Sequence, residues 1–214
     1  MFLLPHVYIC TELVASRNRY IIQHDRVGDG SPAQQPGRAQ ERTAEIISTV
    51  GTSRLLQESD LANLPYLRCI VTETLRLHPV APNLLPHEAS RGFTVAGGHA
   101  IGRGTVVLVD VYSMQRDPRV WDEPEKFMPE RFLEAKVDDD EGTRWMMPFG
   151  MGRRRCPGEG LALRTVGMAL GVMVQFFEWE RVGKEEVDMS EGSSGITMPM
   201  GYGNASHGRV PTAR

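Results

Sequence analysis

The chain has 214 residues, enough for one domain with a core of its own, and its 41% hydrophobic and 24% charged content is ordinary for a soluble globular protein. A net charge of -3 argues against a nucleic-acid partner, and three cysteines, Cys10, Cys69 and Cys156, with no C-x-x-C pair, argue against a disulfide framework and against structural zinc. No run reaches the ~20 apolar residues of a membrane span.

Residues 1–40 carry no recognised motif. Met1 to Cys10 is apolar but short and lacks the basic start of a signal peptide. Thr11 to Gln23 has the pattern of a short helix, and Gly28 to Gly37 is rich in breakers and reads as a flexible linker. The segment is expected to be either a targeting sequence or an extension with no selected role. Sparse, odd cysteines suit a reducing compartment.

Arg42 to Val50 reads as the end of a helix. Ser59-Asp60 is expected to cap a turn at Leu61, and Pro65 suits the first turn of the next helix. From Tyr66 onward Leu67, Ile70, Val71 and Leu75 make a helical stripe. Glu73 and Arg76 share a face of that helix, which by spacing alone means no more than a surface ion pair. His78-Pro79 ends it, and Pro79, Pro82 and Pro86 stiffen an extended stretch beyond. Gly92 to Val95, His99 to Ile101 and Thr105 to Val109 read as short strands, with Gly97-Gly98 a hairpin turn between the first two. Val137 to Gly142 is an acidic surface loop.

Pro148 to Gly158 is the stretch that carries chemistry. Gly150 and Gly152 permit a tight turn, and Gly158 is expected to take a conformation closed to side chains. Glu159 to about Trp179 comes next as a long helix with Leu163, Val166, Leu170, Met173, Val174 and Phe177 as its apolar face. Its methionines are core filler, and Arg164 and Gln175 mark it as a core helix rather than a membrane span. Cys156 therefore stands ahead of a helix N-terminus and beside three arginines, a setting that favours a thiolate. Such a group suits metal ligation or nucleophilic attack. A nucleophile would need His87 as its base, and the sequence supplies neither an orienting residue nor an oxyanion site. Gly201 to Arg214 reads as a loose tail.

The loop has the form F-x-x-G-x-R-x-C-x-G from Phe149 to Gly158. Two further motifs precede it: E-x-x-R in Glu73-Thr74-Leu75-Arg76 and F-x-P-E-R-F in Phe127 to Phe132. In that order they resemble the cytochrome P-450 family, the haem-thiolate monooxygenases, from about Ala44 to Pro199. The resemblance implies an α+β, mainly α fold: the C-terminal portion of the family domain over 41–214, with a small antiparallel sheet, after a non-family extension over 1–40. It implies haem b with Cys156 as axial ligand of the iron. Phe149, Gly150, Gly152 and Gly158 would shape the loop, and Arg154 and His87 would meet the propionates. Glu73, Arg76 and Arg131 would form a buried structural triad. Pro82, Asn83, Leu84 and Leu85, with Ile196, Thr197 and Met198, would line the substrate pocket.

The same resemblance implies electrons from NADPH through NADPH–cytochrome P-450 reductase, received on a basic face of Arg116, Arg119, Lys126, Arg153 and Arg155. It implies a monomer acting on a small organic substrate at the cytosolic face of the endoplasmic reticulum membrane; with no clear anchor in the sequence, a soluble cytoplasmic placement is the alternative expectation. The likeness is nearest to plant microsomal, isoflavone-hydroxylase-like members, whose substrates are phenolic. Two positions depart from the pattern without being catalytic: Gly102 where proline is usual, and Gln115 where histidine usually precedes Arg116-Asp117-Pro118. Family members are more than twice as long, and neither the acid-alcohol segment [AG]-G-x-[DE]-T-[TS] of their central distal helix nor their early W-x-x-x-R motif occurs here. Two readings remain. One is a monooxygenase whose other half is supplied elsewhere; the other is a truncated, non-catalytic chain with weak haem binding or none.

Overall fold

Pro65 sets where the first long helix begins, because its missing N–H costs nothing in a first turn and its fixed φ suits a helix. In the computed structural model, helix α1 spans Pro65–Leu77 with Pro65 in the first turn. Leu64 occupies the cap position and has no side-chain oxygen to offer. The cap comes instead from Glu45, whose carboxylate accepts the N–H of Tyr66 at 2.8 Å and of Leu67 at 3.1 Å. Glu45 belongs to a helical segment at 45–49, so the two segments are joined by charge-assisted bonds at the helix start. The structure describes residues 45–133, 145–180 and 207–209. The expectations for Thr11 to Gln23, Gly28 to Gly37, Val137 to Gly142 and Ile196 to Met198 lie outside the described residues.

Between these segments a 3-10 turn covers Glu58–Asn63. Asp60 does not cap it from outside, as the sequence suggests, but works from within. Its carboxylate accepts the Gln57 N–H at 2.8 Å and both terminal nitrogens of Arg54 at 2.7 and 2.9 Å. The Arg54 guanidinium, and then the Gln57 amide, hold the Asp60 carboxyl down at about 2. Donors upstream of the turn draw the acid backward.

The strands are short antiparallel pairs. β1 (His87–Glu88) pairs with β4 (Val106–Val107), His87 opposite Val107. β2 (Phe93–Thr94) pairs with β3 (Ala100–Ile101), Phe93 opposite Ile101. Gly97 and Gly98 turn between β2 and β3 at φ of 87° and 81°, a double left-handed step that glycine makes without strain. Asn83 and Asp110 form an isolated bridge, after which Asp110 caps the short helix α2 (Val111–Met114) by accepting the Ser113 N–H at 2.9 Å.

Helix α3 runs over Glu159–Phe176. It stops short of Trp179, which lies in β5 (Glu178–Glu180), paired with β6 (His207–Arg209). The aromatic–acid alternation Phe177-Glu178-Trp179-Glu180 has the period of a strand, and part of the expected tail supplies its partner. The buried face of α3 is Val166, Gly167, Leu170, Gly171 and Gln175. Leu163 and Phe177, expected inside, are exposed, with 38% and 36% of their surface open. The face is set by the two glycines. A Cβ on Gly171 would come within 3.0 Å of Leu56 Cδ1 and 3.2 Å of Leu67 Cδ2, so bare backbone there lets α3 settle against Leu56 and α1.

Gln175 belongs inside because it satisfies a loop. It accepts the Leu56 N–H at 3.1 Å and donates to the carbonyls of Gly51 and Arg54 at 2.7 and 2.9 Å. One core joins Ile46, Leu64, Leu67, Ile70, Val71, Phe127, Val166 and Leu170. The described residues are thus mainly helical with small antiparallel sheets. Gly171→Val should lower stability by about 1–3 kcal/mol through overpacking, read as a fall in the urea midpoint at unchanged m-value. An unaltered midpoint would mean that α3 does not pack this closely.

Candidate functional site

The C-terminal half of α1 buries two charges. Glu73 and Arg76 have no exposed side-chain surface, and three residues of spacing lets them meet in a two-pronged pair: Arg76 Nε to Oε2 at 2.7 Å and Nη2 to Oε1 at 3.0 Å. Arg131 joins from the 3-10 turn Pro129–Phe132, its Nε 3.2 Å from Glu73 Oε1. The Met128 N–H donates to the same oxygen at 2.8 Å. Arg76 spends its other donors on the carbonyls of Gln115 at 2.7 Å and Lys126 at 3.3 Å. Its guanidinium lies 5.2 Å from the ring centre of Trp121, which packs with Phe132 and Cys69. The structure therefore brings together all three charged side chains read from the E-x-x-R and F-x-P-E-R-F motifs, and surrounds them with backbone groups that spacing did not reveal.

The cysteine loop sits beyond this cluster. Phe149 is half-buried against the main core, which anchors the start of the loop. Gly150 and Gly152 have φ of 74° and 66°, the left-handed region that favours glycine. A 3-10 turn, Gly152–Arg154, then brings Cys156 back so that its N–H donates to the Phe149 carbonyl at 2.9 Å. Gly158 stands at the cap of α3 with φ of -89°, a value open to any residue, which corrects the expectation of a forbidden conformation. A Cβ there would rest in ordinary contact with Cys156 Sγ, at 3.8 Å. The thiol is free and exposed, two residues before the cap-to-helix step of an 18-residue helix. A soft sulfur donor, uncrowded and outward-facing on a loop pinned at both ends, fits the axial ligand of a haem iron.

The flanking charges divide. Arg155 pairs with Glu159, Nη2 to Oε1 at 2.6 Å, whereas Arg154 is exposed and makes no ion pair among the described residues. Of the five cations expected to form a basic face, four are already compensated: Arg116 by Glu125, Arg119 by Asp117, Lys126 by Glu123 and Arg155 by Glu159. Arg116 also donates to the Leu77 carbonyl and stacks 3.6 Å from the ring centre of Tyr112. Carboxylates of the same stretches thus balance these four cations locally, through pairs that are mostly solvent-exposed.

The other expected site residues lie along one extended stretch. The Pro82 carbonyl accepts the N–H groups of Val111 and Tyr112, and Leu84 donates to Val109 at 3.0 Å. Asn83 forms the bridge to Asp110, Leu85 is exposed, and His87 is exposed in β1. Ile196, Thr197 and Met198 are outside the described residues. Sequence reading missed three residues that organise this region, Glu45, Gln115 and Gln175. Each is a polar side chain whose partners lie 21 or more positions away, so no local spacing marks it.

Comparison with known proteins covers most of the chain. Residues 33–203 match the family model Cytochrome P450. A (+)-piperitol/(+)-sesamin synthase of Sesamum radiatum is 50% identical over 155 residues, 72% of this chain and 29% of that protein. An isoflavone 3'-hydroxylase of Medicago truncatula is 47% identical over 156 residues, 73% of this chain and 30% of that one. A solved zebra fish cytochrome P450 with abiraterone superposes with a TM-score of 0.76 at 27% identity, over 96% of this chain and 44% of its own. The chain spans about 30% of the length of the curated relatives it matches.

The geometry sets two expected outcomes. Glu73→Ala strands Arg76 in a buried site and should cost about 3–5 kcal/mol of a total near 5–15, giving insoluble protein or a sharply lowered Tm. A soluble variant with unchanged Tm would refute a buried cluster. Burial pushes the Cys69 thiol up to about 11, while Cys156 is exposed. Maleimide labelling at neutral pH with peptide mapping should therefore modify Cys156 and spare Cys69 until the chain is unfolded.

Proposed function

Because the chain belongs to the cytochrome P450 family, we propose that it contributes the proximal, iron-ligating part of a haem-thiolate monooxygenase. The observation that carries this reading is the exposed Cys156 thiol, held by its N–H bond to Phe149 in a loop with two left-handed glycines, at the start of α3. When bound, haem supplies the oxidation, with one atom of dioxygen entering the substrate and the other leaving as water, and a thiolate ligand favours the O–O step.

The residues of this chain do the holding. Cys156 would ligate through Sγ. Its backbone N–H is tied to Phe149, so the sulfur's position depends on the packing of Phe149 on the core. Phe149, Gly150, Gly152 and Gly158 would shape the approach to the sulfur. Arg154, exposed and without an ion pair among the described residues, is suited to a propionate carboxylate, and His87 on β1 would take the other. The Glu73–Arg76–Arg131 cluster holds the segments behind the loop. Pro82, Asn83, Leu84 and Leu85, with Ile196, Thr197 and Met198, would line the substrate side.

The substrate class we propose is a small phenolic compound. The name of the Medicago relative, an isoflavone 3'-hydroxylase, supports it. Electrons would come from NADPH through a reductase. Endoplasmic reticulum attachment is the corresponding placement; among the described residues no helix is long and apolar enough to cross a membrane.

The test is optical. Haem-reconstituted protein, reduced and saturated with carbon monoxide, should show the strongly red-shifted Soret band of a thiolate ligand, and Cys156→Ser should abolish it. A band that persists in the variant overturns the assignment. Product formed per NADPH consumed, on phenolic substrates with reductase present, then separates a coupled monooxygenase from a chain that binds haem without turnover.

A further inference from the structure

Gln115 is fully buried where three segments meet. Its Nε2 donates to the carbonyls of Leu75 at 3.0 Å and Arg76 at 2.9 Å, in the last turn of α1. Those carbonyls are helix-end orphans. For Leu75 the deficit is inherent, because the residue four positions on is Pro79, which has no N–H to give. On its other side the Gln115 Oε1 accepts the Met147 N–H at 3.1 Å. The partners fix which way the amide points, since two carbonyls require the NH2 and an N–H requires the oxygen. The backbone carbonyl of Gln115 also accepts Arg76 Nη1 at 2.7 Å.

Met147 opens the cysteine loop. Its carbonyl accepts the Gly150 N–H at 3.1 Å, and the Phe149 carbonyl between them accepts the Cys156 N–H at 2.9 Å. One unbroken series of bonds therefore runs from the Glu73–Arg76 pair through Gln115 to Met147 and on to the cysteine. We propose that Gln115 is a positioning residue for the thiolate: its carboxamide, spanning from the end of α1 to Met147, sets where the 147–150 turn leaves the core and hence where Cys156 presents its sulfur. The proposal rests on the reading of Cys156 as haem ligand and extends it to a residue that touches neither haem nor substrate.

The experiment compares Gln115→Met, which keeps shape but loses every side-chain bond, with Gln115→His. A neutral imidazole offers one N–H and one bare nitrogen, so it retains a donor to α1 and the acceptor for Met147. Measurements are made near pH 8, where an ordinary histidine is neutral. In haem-free protein, hydrogen exchange at the Met147 amide should be about tenfold faster in Gln115→Met, the equivalent of a lost hydrogen bond, while amides in the middle of α1 change less than about twofold. Gln115→His should restore Met147 to the wild-type rate. With haem and carbon monoxide, Gln115→Met should lose part of its thiolate Soret band to the band of a non-thiolate ligand, and Gln115→His should recover it.

An unchanged Met147 rate overturns the proposal. So does acceleration of Met147 and mid-α1 amides by the same factor, which would make Gln115 only a helix cap, or failure of histidine to restore Met147. If Gln115→Met is insoluble, Gln115→Asn replaces it. It keeps a polar group but is one methylene too short to span both ends, and the same selective loss at Met147 is required. If the wild type itself never shows the thiolate band, the haem reading fails on its own, and the exchange data still decide whether Gln115 places the loop.

Discussion

A carboxylate and a guanidinium sealed from water impose the central constraint on this structure. Glu73 and Arg76 cannot be left half-satisfied, because each buried charge without its partners costs several kcal/mol. Their bonds are consequently complete, with Arg131, the Met128 N–H, and the carbonyls of Gln115 and Lys126 converging on one helix turn. Two stretches, at Gln115 and at 126–131, are thereby tied to α1. The apolar core beside it, from Ile46 to Leu170, supplies most of the hydrophobic stabilisation. The charged cluster supplies direction, since hydrogen bonds to charged groups are met only in a narrow range of geometries.

The same logic of satisfied backbone recurs at other junctions. Glu45 caps the start of α1, Gln115 and Arg116 cap its end, and Gln175 holds the 51–56 loop against α3. Each uses a long polar side chain from a distant segment where a local cap residue is missing. The cysteine loop is built the other way, by local backbone bonds and two glycines, and it leaves its sulfur in the open. A rigid frame of side-chain bonds thus carries a short loop whose exposed atom is the chemically versatile one.

Legibility in the sequence tracks the range of the interaction. The start of α1 at Pro65, the glycine turn at 97–98 and the left-handed steps at Gly150 and Gly152 depend on one or two neighbours, and each is readable. The family itself is readable because three motifs in order are far more specific than any one. What escapes is set by tertiary contact. Amphipathic spacing puts Leu163 and Phe177 inside, but the close approach of Leu56 to Gly171 turns α3 onto its glycine face. Gln175 looks like an interruption because its partners lie more than a hundred positions away. Spacing alone makes Glu73 and Arg76 a surface pair; only the motif pattern implies a third member, and the departure at Gln115 marks the position without revealing its partners. Spacing also counts the cations of the expected basic face and overlooks the carboxylates paired with four of them.

The long reach of these bonds also orders the way the chain can assemble. Partners of Glu73 and Arg76 lie 39 to 58 positions downstream, and those of Gln175 lie 119 to 124 upstream. During synthesis α1 emerges with its two charges able to pair only with each other, and the closing of their shell waits for Arg131. The Gln175 clasp waits longer still, until after Cys156 has left the ribosome. Loop-closure entropy for such separations must be met before the contacts reward it. The interval between the two closures is a stage at which the cysteine loop exists on an unfinished frame, its thiol exposed before the segments around it are locked in place.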